Sequence, residues 1–215
     1  FQKESKSSDD IVKLSAARDM LDRYLINYTI YSEIFIIDAK TGLIAISTNR
    51  ASEGENKLSN SYFSTPLETG EIYIKDIYNS SSMNKTAMTI SLPLYGLDHD
   101  THIIGILVAR IDLEGSLYKL LNDRVGLGTS GETLIVNKDG VALNELRWYD
   151  YAPLNLQISA EPAINAAHGE TGITETPDYR GEDVLAAYTY IPETGWGFVC
   201  KQDMYELRAP VRRMI

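Results

Sequence analysis

The chain has 215 residues and 44% hydrophobic content, enough for one large domain or two small ones with a real core. Its formal net charge of −10 argues against a nucleic-acid or anionic-membrane surface, because phosphate binding requires a basic face. The single cysteine, Cys200, excludes an internal disulfide and a thiolate metal cluster but does not settle the cellular compartment.

The first predicted element is a helix from Ser8 to about Tyr28. Apolar and long side chains recur there every three or four residues, which places them on one helical stripe. Further apolar side chains beside that stripe favour a second contact with a partner chain. A single amphipathic helix that packs only on its own domain fits the same pattern.

The periodicity changes from helical to strand-like at Tyr31. Two short apolar runs, 34–38 and 43–47, flank a segment with turn chemistry and predict a β-hairpin. Three further strand candidates follow at 71–78, 86–95 and 102–111.

The second half of the chain repeats this plan. A strand at 133–136, a tight turn and a strand at 141–143 predict another hairpin, and 113–122 has the pattern of a connecting helix. Its three later strand candidates are 171–177, 183–190 and 196–202. Repetition at this length predicts two similar α/β modules rather than a solenoid of short units.

Several segments together carry a resemblance to a known family. The most distinctive are residues 126–132 (GLGTSGE), which lead into a strand and hairpin, and 191–196 (IPETGW), which lead into the last strand. With them, the chain resembles a double Cache sensor over nearly its whole length. The other matching segments are 35–47, 57–78, 86–96, 103–121 and 186–207.

The resemblance implies an α+β fold with a long N-terminal helix and two stacked PAS-like modules, each a central antiparallel sheet flanked by helices. The implied divisions are an N-terminal stalk and dimer helix (1–31), a membrane-distal ligand-binding module (32–122), a membrane-proximal module (123–203) and the start of a C-terminal exit helix (204–215). It also implies the extracytoplasmic part of a plasma-membrane protein, tethered by flanking transmembrane helices outside this chain. A homodimer formed through the N-terminal helix is expected.

Double Cache domains sit on histidine kinases, chemoreceptors and cyclic-nucleotide signalling enzymes, and nothing in this sequence selects among these outputs. In the family the ligand lies in the distal module, between the central sheet and the loops that precede the third strand. The positions that match here are Asn60, Tyr62, Phe63, Tyr78, Ser80, Thr89, Ser91 and Arg110.

At three of these positions this chain differs from the family members that bind amino acids, and the differences indicate the class of ligand. Amino-acid-binding members resemble one another in using a basic residue for the carboxylate and two aspartates for the ammonium group. This chain has Asn60 at the basic position, and Ser80 and Arg110 at the two aspartate positions. A buried ammonium group without those carboxylates would cost several kcal/mol. We therefore expect a small anionic ligand, such as a carboxylate.

Arg110 shares its strand face with Ile104, Ile106 and Val108, so a guanidinium on an apolar face would need a partner. A ligand carboxylate could bind it in bidentate fashion. The alternatives are a structural salt bridge, for instance to Asp76 or Asp112, and exposure at the strand end.

Other side chains of the first half of the chain are further candidates for the ligand site. Tyr62 and Tyr78 can provide an apolar wall that carries a hydroxyl group, which is typical of small-molecule sites. Lys57 and Lys75 are second choices for positive charge, although surface lysines are commoner. Thr89 and Ser91 give the fourth strand one small polar face, which lines a pocket or meets solvent.

Enzyme and cofactor motifs are missing from the sequence. It has no His-Glu-x-x-His string, serine elbow or phosphate loop, and Gly126-x-Gly128-x-x-Gly131 leads into a strand rather than a helix. We expect no catalysis, no metal and no cofactor; haem is disfavoured because the pocket strands lack histidine. The rival predictions are a dimerisation or partner-docking ectodomain that binds no ligand, and an amino-acid sensor with an atypical pocket.

Overall fold

The structure, a computed structural model, describes residues 8–80, 85–96 and 102–212. The chain divides into two compact units between Ser116 and Leu117. We call the unit before this division the first module and the unit after it the second module.

The first module begins with helix α1, Ser8–Asn27, as the helical periodicity predicted. A five-stranded antiparallel sheet follows, with strand order β2-β1-β5-β4-β3. The predicted hairpin and the three later strands are therefore confirmed. The elements are β1 (Tyr31–Asp38), β2 (Ile44–Ser47), a 3-10 turn (Arg50–Ser52), α2 (Ser61–Thr69), β3 (Tyr73–Ser80), β4 (Lys85–Tyr95) and β5 (Ile103–Ile111).

Alternation along the strands gives this sheet two different faces. Leu21 of α1 packs on one face against Ile34 and Ile46. On the opposite face, Tyr62 of α2 packs in a cluster with Phe35 and Val108. We call this second surface the α2 face.

The second module has a four-stranded antiparallel sheet with order β6-β9-β8-β7. Helix α4 covers it so closely that a Cβ on Gly197 of β9 would lie 2.7 Å from the backbone nitrogen of Ala167. The elements are a π-helical turn that begins in the first module (Glu114–Tyr118), α3 (Lys119–Leu121), β6 (Glu132–Val136), α4 (Glu161–Ala167), β7 (Gly172–Pro177), β8 (Asp183–Ile191), β9 (Trp196–Asp203) and α5 (Met204–Arg212).

Two predicted elements differ from what is observed. The connecting helix expected at 113–122 is a π-helical turn followed by the short α3. The second strand of the later hairpin is reduced to isolated bridges at Val141 and Ala142. The reason is Asn144, whose buried amide accepts a hydrogen bond from the Ile135 N–H (2.8 Å) and so replaces part of a strand ladder.

Within the described part of the chain, none of the helices combines the length and the apolar character needed to cross a membrane.

Candidate functional site

Four side chains form one row across the α2 face of the first module. The strand registers place Glu33 of β1 opposite Arg110 of β5, Arg110 opposite Thr89 of β4, and Thr89 opposite Lys75 of β3. Because side chains two residues apart share a face, the next row contains Ser91. Thr89 and Ser91 are both fully buried, so the polar face predicted on β4 does not meet solvent.

A bulge in β3 brings two of these groups together. The register shifts between Lys75 and Tyr78, so both residues lie on the α2 face although they are three positions apart. The Tyr78 hydroxyl is 3.1 Å from Thr89 Oγ1. The Lys75 ammonium lies 3.9 Å from the centre of the Tyr78 ring and 5.5 Å from that of Tyr62. Tyr78 and Ser80 both lie on β3.

Lys75 has cation–π contacts but no carboxylate partner among the described residues. Its side chain is half-buried, and burial lowers the pKa of its ammonium group. Partial removal from water without an opposing charge is unfavourable for a cation. The row therefore ends in a positive charge that an anion would stabilise.

Arg110 forms an ion pair with Glu33, and both residues are buried. The Arg110 Nη1 atom donates to Glu33 Oε2 at 2.5 Å, and the guanidinium lies over the Phe35 ring at 5.0 Å. Burial alone would lower the pKa of Arg110, but the Glu33 carboxylate and the Tyr62 phenol together hold this pKa above its ordinary value. The predicted alternative of a structural salt bridge is therefore found, but the partner of Arg110 is Glu33 and not Asp76 or Asp112. The other alternative, exposure at the strand end, is wrong.

Glu33 was absent from the sequence-based site. The available signal was its alternation with Phe35 and Ile37, which puts a carboxylate on the buried face of β1. Its second oxygen, Oε1, accepts a hydrogen bond from the Ser47 hydroxyl at 2.8 Å. Both carboxylate oxygens of Glu33 are therefore in use.

Polar contacts continue from Ser47 to the N-terminal helix. The Ser47 N–H donates to Glu53 Oε1 at 3.1 Å, and Glu53 accepts two hydrogen bonds from Arg18 Nη2 of α1 at 2.7 and 2.9 Å. Burial by itself would raise the pKa of Glu53, but the hydrogen bond from Arg18 helps to hold it below its ordinary value. A chain of polar contacts thus connects Arg110 with α1.

The remaining predicted residues lie around α2 and the end of β3. Tyr62 and Phe63 are buried in the apolar cluster of the α2 face, and burial raises the pKa of the Tyr62 phenol. Asn60 is half-buried at the start of α2, where its amide donates to the Lys57 carbonyl at 3.5 Å. Ser80 is buried at the end of β3.

A polar cavity of about 390 Å³ opens beside the Glu33–Arg110 pair. Of the predicted site residues, only Arg110 contributes to its wall. The Nε atom of Arg110 is buried and has no hydrogen-bond partner among the described residues. The cavity is also lined by Ser32, Asn49, Ala51, Ser52 and Glu55.

Lys57, the other second choice for positive charge, does not join the row. Its ammonium group pairs with Glu55 at 2.7 Å. Within residues 8–80, 85–96 and 102–212, no three histidine, cysteine or acidic side chains lie close enough to hold a metal ion.

Comparison of the sequence with protein families gives a match to the Cache domain over residues 4–211. No curated protein matches the chain by sequence. Among solved structures, the fold is similar to that of the periplasmic sensory domain of the Campylobacter jejuni chemoreceptor Tlp1. The TM-score is 0.66 and the sequence identity 15%, and the match covers 95% of this chain and 81% of that one.

Two further solved structures share the fold. The ligand-binding domain of the Pseudomonas aeruginosa PAO1 amino-acid chemoreceptor PctC, in complex with GABA, has a TM-score of 0.64 and 15% identity, covering 94% of this chain and 84% of that one. The sensor domain of the Vibrio cholerae histidine kinase DctB has a TM-score of 0.61 and 12% identity, covering 92% and 81%. The family match covers nearly the whole chain, and the chain is therefore a Cache domain, an extracytoplasmic and non-catalytic ligand-binding module of the kind found in receptors.

Proposed function

We propose that this chain senses a small carboxylate for a membrane-spanning signalling receptor, and that the ligand binds on the α2 face of the first module. The observation that carries this proposal is the Lys75 ammonium group. It faces Tyr62 and Tyr78 and has no carboxylate partner among the described residues. A ligand carboxylate would offset the cost of its partial burial.

Charge along the row favours an anion over a zwitterion. Arg110 and Glu33 neutralise each other, and both Glu33 oxygens are already engaged by Arg110 and Ser47. Lys75 is left as the uncompensated charge of the row. A ligand ammonium group would meet this cation, and the four residues of the row offer it no free carboxylate, which is unfavourable in a partly dry site.

Other hydrogen-bond donors on the α2 face can complete recognition of the carboxylate. The hydroxyl groups of Tyr78 and Thr89 contact each other and can turn to donate to a ligand oxygen. The buried Nε–H of Arg110 is an additional donor without a partner among the described residues. The Tyr62 ring provides the apolar wall for the ligand body.

A thermal-shift comparison of matched ligands tests the proposal. Butyrate and GABA differ only in the ammonium group, and so do succinate and aspartate. We expect at least one of the two simple carboxylates to raise the melting temperature more than its amino counterpart. A ligand at a hundred times its dissociation constant stabilises the bound state by about 2.7 kcal/mol.

The opposite order would overturn the proposal. If GABA or aspartate stabilises the protein and neither butyrate nor succinate does, the chain is an amino-acid sensor with an atypical pocket. If a wider panel of carboxylates and amino acids gives no shift at all, the ectodomain without a ligand becomes the better interpretation.

We further propose that the receptor is a homodimer through α1 and is tethered by transmembrane helices outside this chain. Met20 and Tyr24 are 47% and 50% exposed on α1, and they line an apolar groove of about 330 Å³ with Ile90 and Leu92. Exposed apolar surface of this kind favours association. Sedimentation velocity should detect a dimer that Tyr24→Glu weakens, whereas the exposed Lys40→Glu should leave it unchanged.

A further inference from the structure

The two modules carry the same charge pair at the same place. In the first module, Glu33 of β1 lies opposite Arg110 of β5; in the second, Glu132 of β6 lies opposite Lys201 of β9. β6 and β9 occupy the positions in their sheet that β1 and β5 occupy in theirs. Each module therefore buries a carboxylate on its first strand against a cation on its last strand.

The second module adds another carboxylate to this pair. Asp178 follows β7 and is 8% exposed, and its Oδ2 atom lies 2.6 Å from Lys201 Nζ. The same ammonium group lies 2.8 Å from Glu132 Oε2. Arg180 also donates to Asp178, at 2.8 Å from its Nε atom. Two carboxylates thus surround the buried Lys201.

Asp178 is held by several favourable contacts. Burial alone would raise its pKa, but hydrogen bonds from Arg180 and Lys201 outweigh burial and hold the pKa below its ordinary value. The backbone N–H of Arg180 donates to Asp178 Oδ1 at 2.7 Å, so the side chain also closes the turn between β7 and β8. The carboxylate is therefore ionised and firmly positioned at neutral pH.

The corresponding segment of the first module lacks an acidic residue. β3 and β4 are the counterparts of β7 and β8, and residues 79–85 between and beside them read Asn-Ser-Ser-Ser-Met-Asn-Lys. No aspartate or glutamate of this segment can take the role of Asp178. The one carboxylate paired with Arg110 among the described residues is that of Glu33.

We infer that Asp178 acts as a built-in anionic ligand of the second module, so that removing its side chain would create an anion-binding site at Lys201. The parallel with the first module, where an external carboxylate would enter instead, rests on the proposed function. The inference about the second module is independent of that proposal, because Lys201, Arg180 and Asp178 all belong to this chain.

Chemical rescue of Asp178→Ala by formate tests the inference. Formate has the size and charge of the group that this substitution removes. We expect the variant to lose roughly 5–10 °C of melting temperature in sodium chloride. Sodium formate at the same ionic strength should restore at least half of that loss, with a saturable dependence on formate concentration.

Two matched variants make the rescue specific. Asp178→Asn removes the charge but leaves no space, and its amide oxygen keeps the turn contacts, so formate should not stabilise it. Asp183→Ala removes an exposed carboxylate of the same module and should respond to formate no more than the parent protein does. If Asp178→Ala does not fold in chloride, the yield of refolding in formate is compared with the yield in chloride.

The inference is wrong if formate stabilises Asp178→Ala, or improves its refolding, no more than it does for the parent protein and Asp178→Asn. This result would leave the carboxylate proposal for the first module intact. Conversely, a first module that binds no carboxylate would not affect rescue at Lys201, so the two failures are distinguishable.

Discussion

Glu33 and Arg110, which are 77 residues apart in sequence, form a buried ion pair across β1 and β5. Removing two charges from water is costly, and their attraction repays this cost only while both partners are present. The intact pair therefore adds little to the net free energy of unfolding, but removal of one partner is strongly destabilising.

Glu33→Ala should lower the free energy of unfolding of the first module by about 3–5 kcal/mol, because it leaves the Arg110 guanidinium buried and unpaired. The double substitution Glu33→Leu with Arg110→Met should recover most of this loss, since an apolar pair of similar volume needs no partner. Denaturant unfolding followed by circular dichroism measures both effects.

An exposed ion pair provides the control for this experiment. Glu175 and Arg208 are 50% and 55% exposed and lie 2.6 Å apart. Glu175→Ala should cost less than about 1 kcal/mol because water screens such pairs. Equal losses for Glu33→Ala and Glu175→Ala would contradict the assignment of Glu33 and Arg110 as a desolvated pair.

Substitution of Lys75 should separate ligand binding from stability. Lys75→Met is expected to weaken binding of the most stabilising carboxylate by at least about tenfold, which is the effect of losing 1.4 kcal/mol. Burial lowers the pKa of this ammonium group, so the charged form is disfavoured in the folded state and the unliganded variant should be at least as stable as the parent.

Isothermal titration calorimetry and thermal unfolding measure these two quantities. Lys85→Met, which removes an exposed lysine from β4 of the same sheet, should change neither by a comparable amount. Unchanged carboxylate affinity in Lys75→Met would remove the observation on which the proposed function rests.

Much of the first module could be predicted from local patterns. Alternation along β4 and β5 correctly placed Thr89 with Ser91 and Arg110 with Val108, because side-chain direction in a regular strand depends only on parity. The identity of Arg110's partner depends on the pairing of β1 with β5. That pairing is a long-range property, and local periodicity contains no information about it.

Irregular backbone limited the prediction of the site and of the second hairpin. Lys75 and Tyr78 have opposite parity and share a face only because β3 contains a bulge between them. Asn144 replaces a strand ladder with side-chain hydrogen bonds, which an apolar run such as Val141 and Ala142 does not reveal. Local periodicity shows neither the bulge nor these side-chain hydrogen bonds.

The contact between Glu53 and α1 should weaken in acid. The pKa of Glu53 lies below its ordinary value of 4.5 in the folded protein. A lowered pKa means that the contribution to stability is present above the unfolded value and is lost as the pH falls through the folded value. Below about pH 4.5, we therefore expect the hydrogen bonds from Arg18 to Glu53 to weaken progressively.

Amide exchange of Ser47, whose N–H donates to Glu53, reports this change. In the parent protein, the protection factor should decrease as the pH is lowered below about 4.5. In Glu53→Gln, which has no charge and does not titrate, it should be lower at neutral pH and should not decrease further in acid. Glu68→Gln, an exposed position on α2, is the matched control. If the Ser47 protection factor is the same in Glu53→Gln and the parent, the Glu53 carboxylate does not protect the Ser47 amide.

Glu206 should keep the segment before β6 attached to α5 even in moderate acid. Its carboxylate accepts hydrogen bonds from the N–H groups of Thr129 and Ser130, both at 2.7 Å, and from the Ser130 hydroxyl. The Ser130 hydroxyl, followed by the two backbone donors, lowers the pKa of Glu206 to about 2. A Cβ on Gly128 would lie 2.4 Å from Glu206 Oε1, so glycine is needed for this approach.

Because the folded pKa is depressed, this attachment is at full strength above pH 4.5 and disappears only as the pH falls towards about 2. Glu206→Gln loses the charge and one acceptor oxygen, so the amides of Thr129 and Ser130 should exchange at least about tenfold faster at neutral pH. Gly128→Ala should have the same effect by displacing the carboxylate. The exposed Glu193→Gln should not, and equal exchange in Glu206→Gln and the parent would mean that the GLGTSGE segment is held by other contacts.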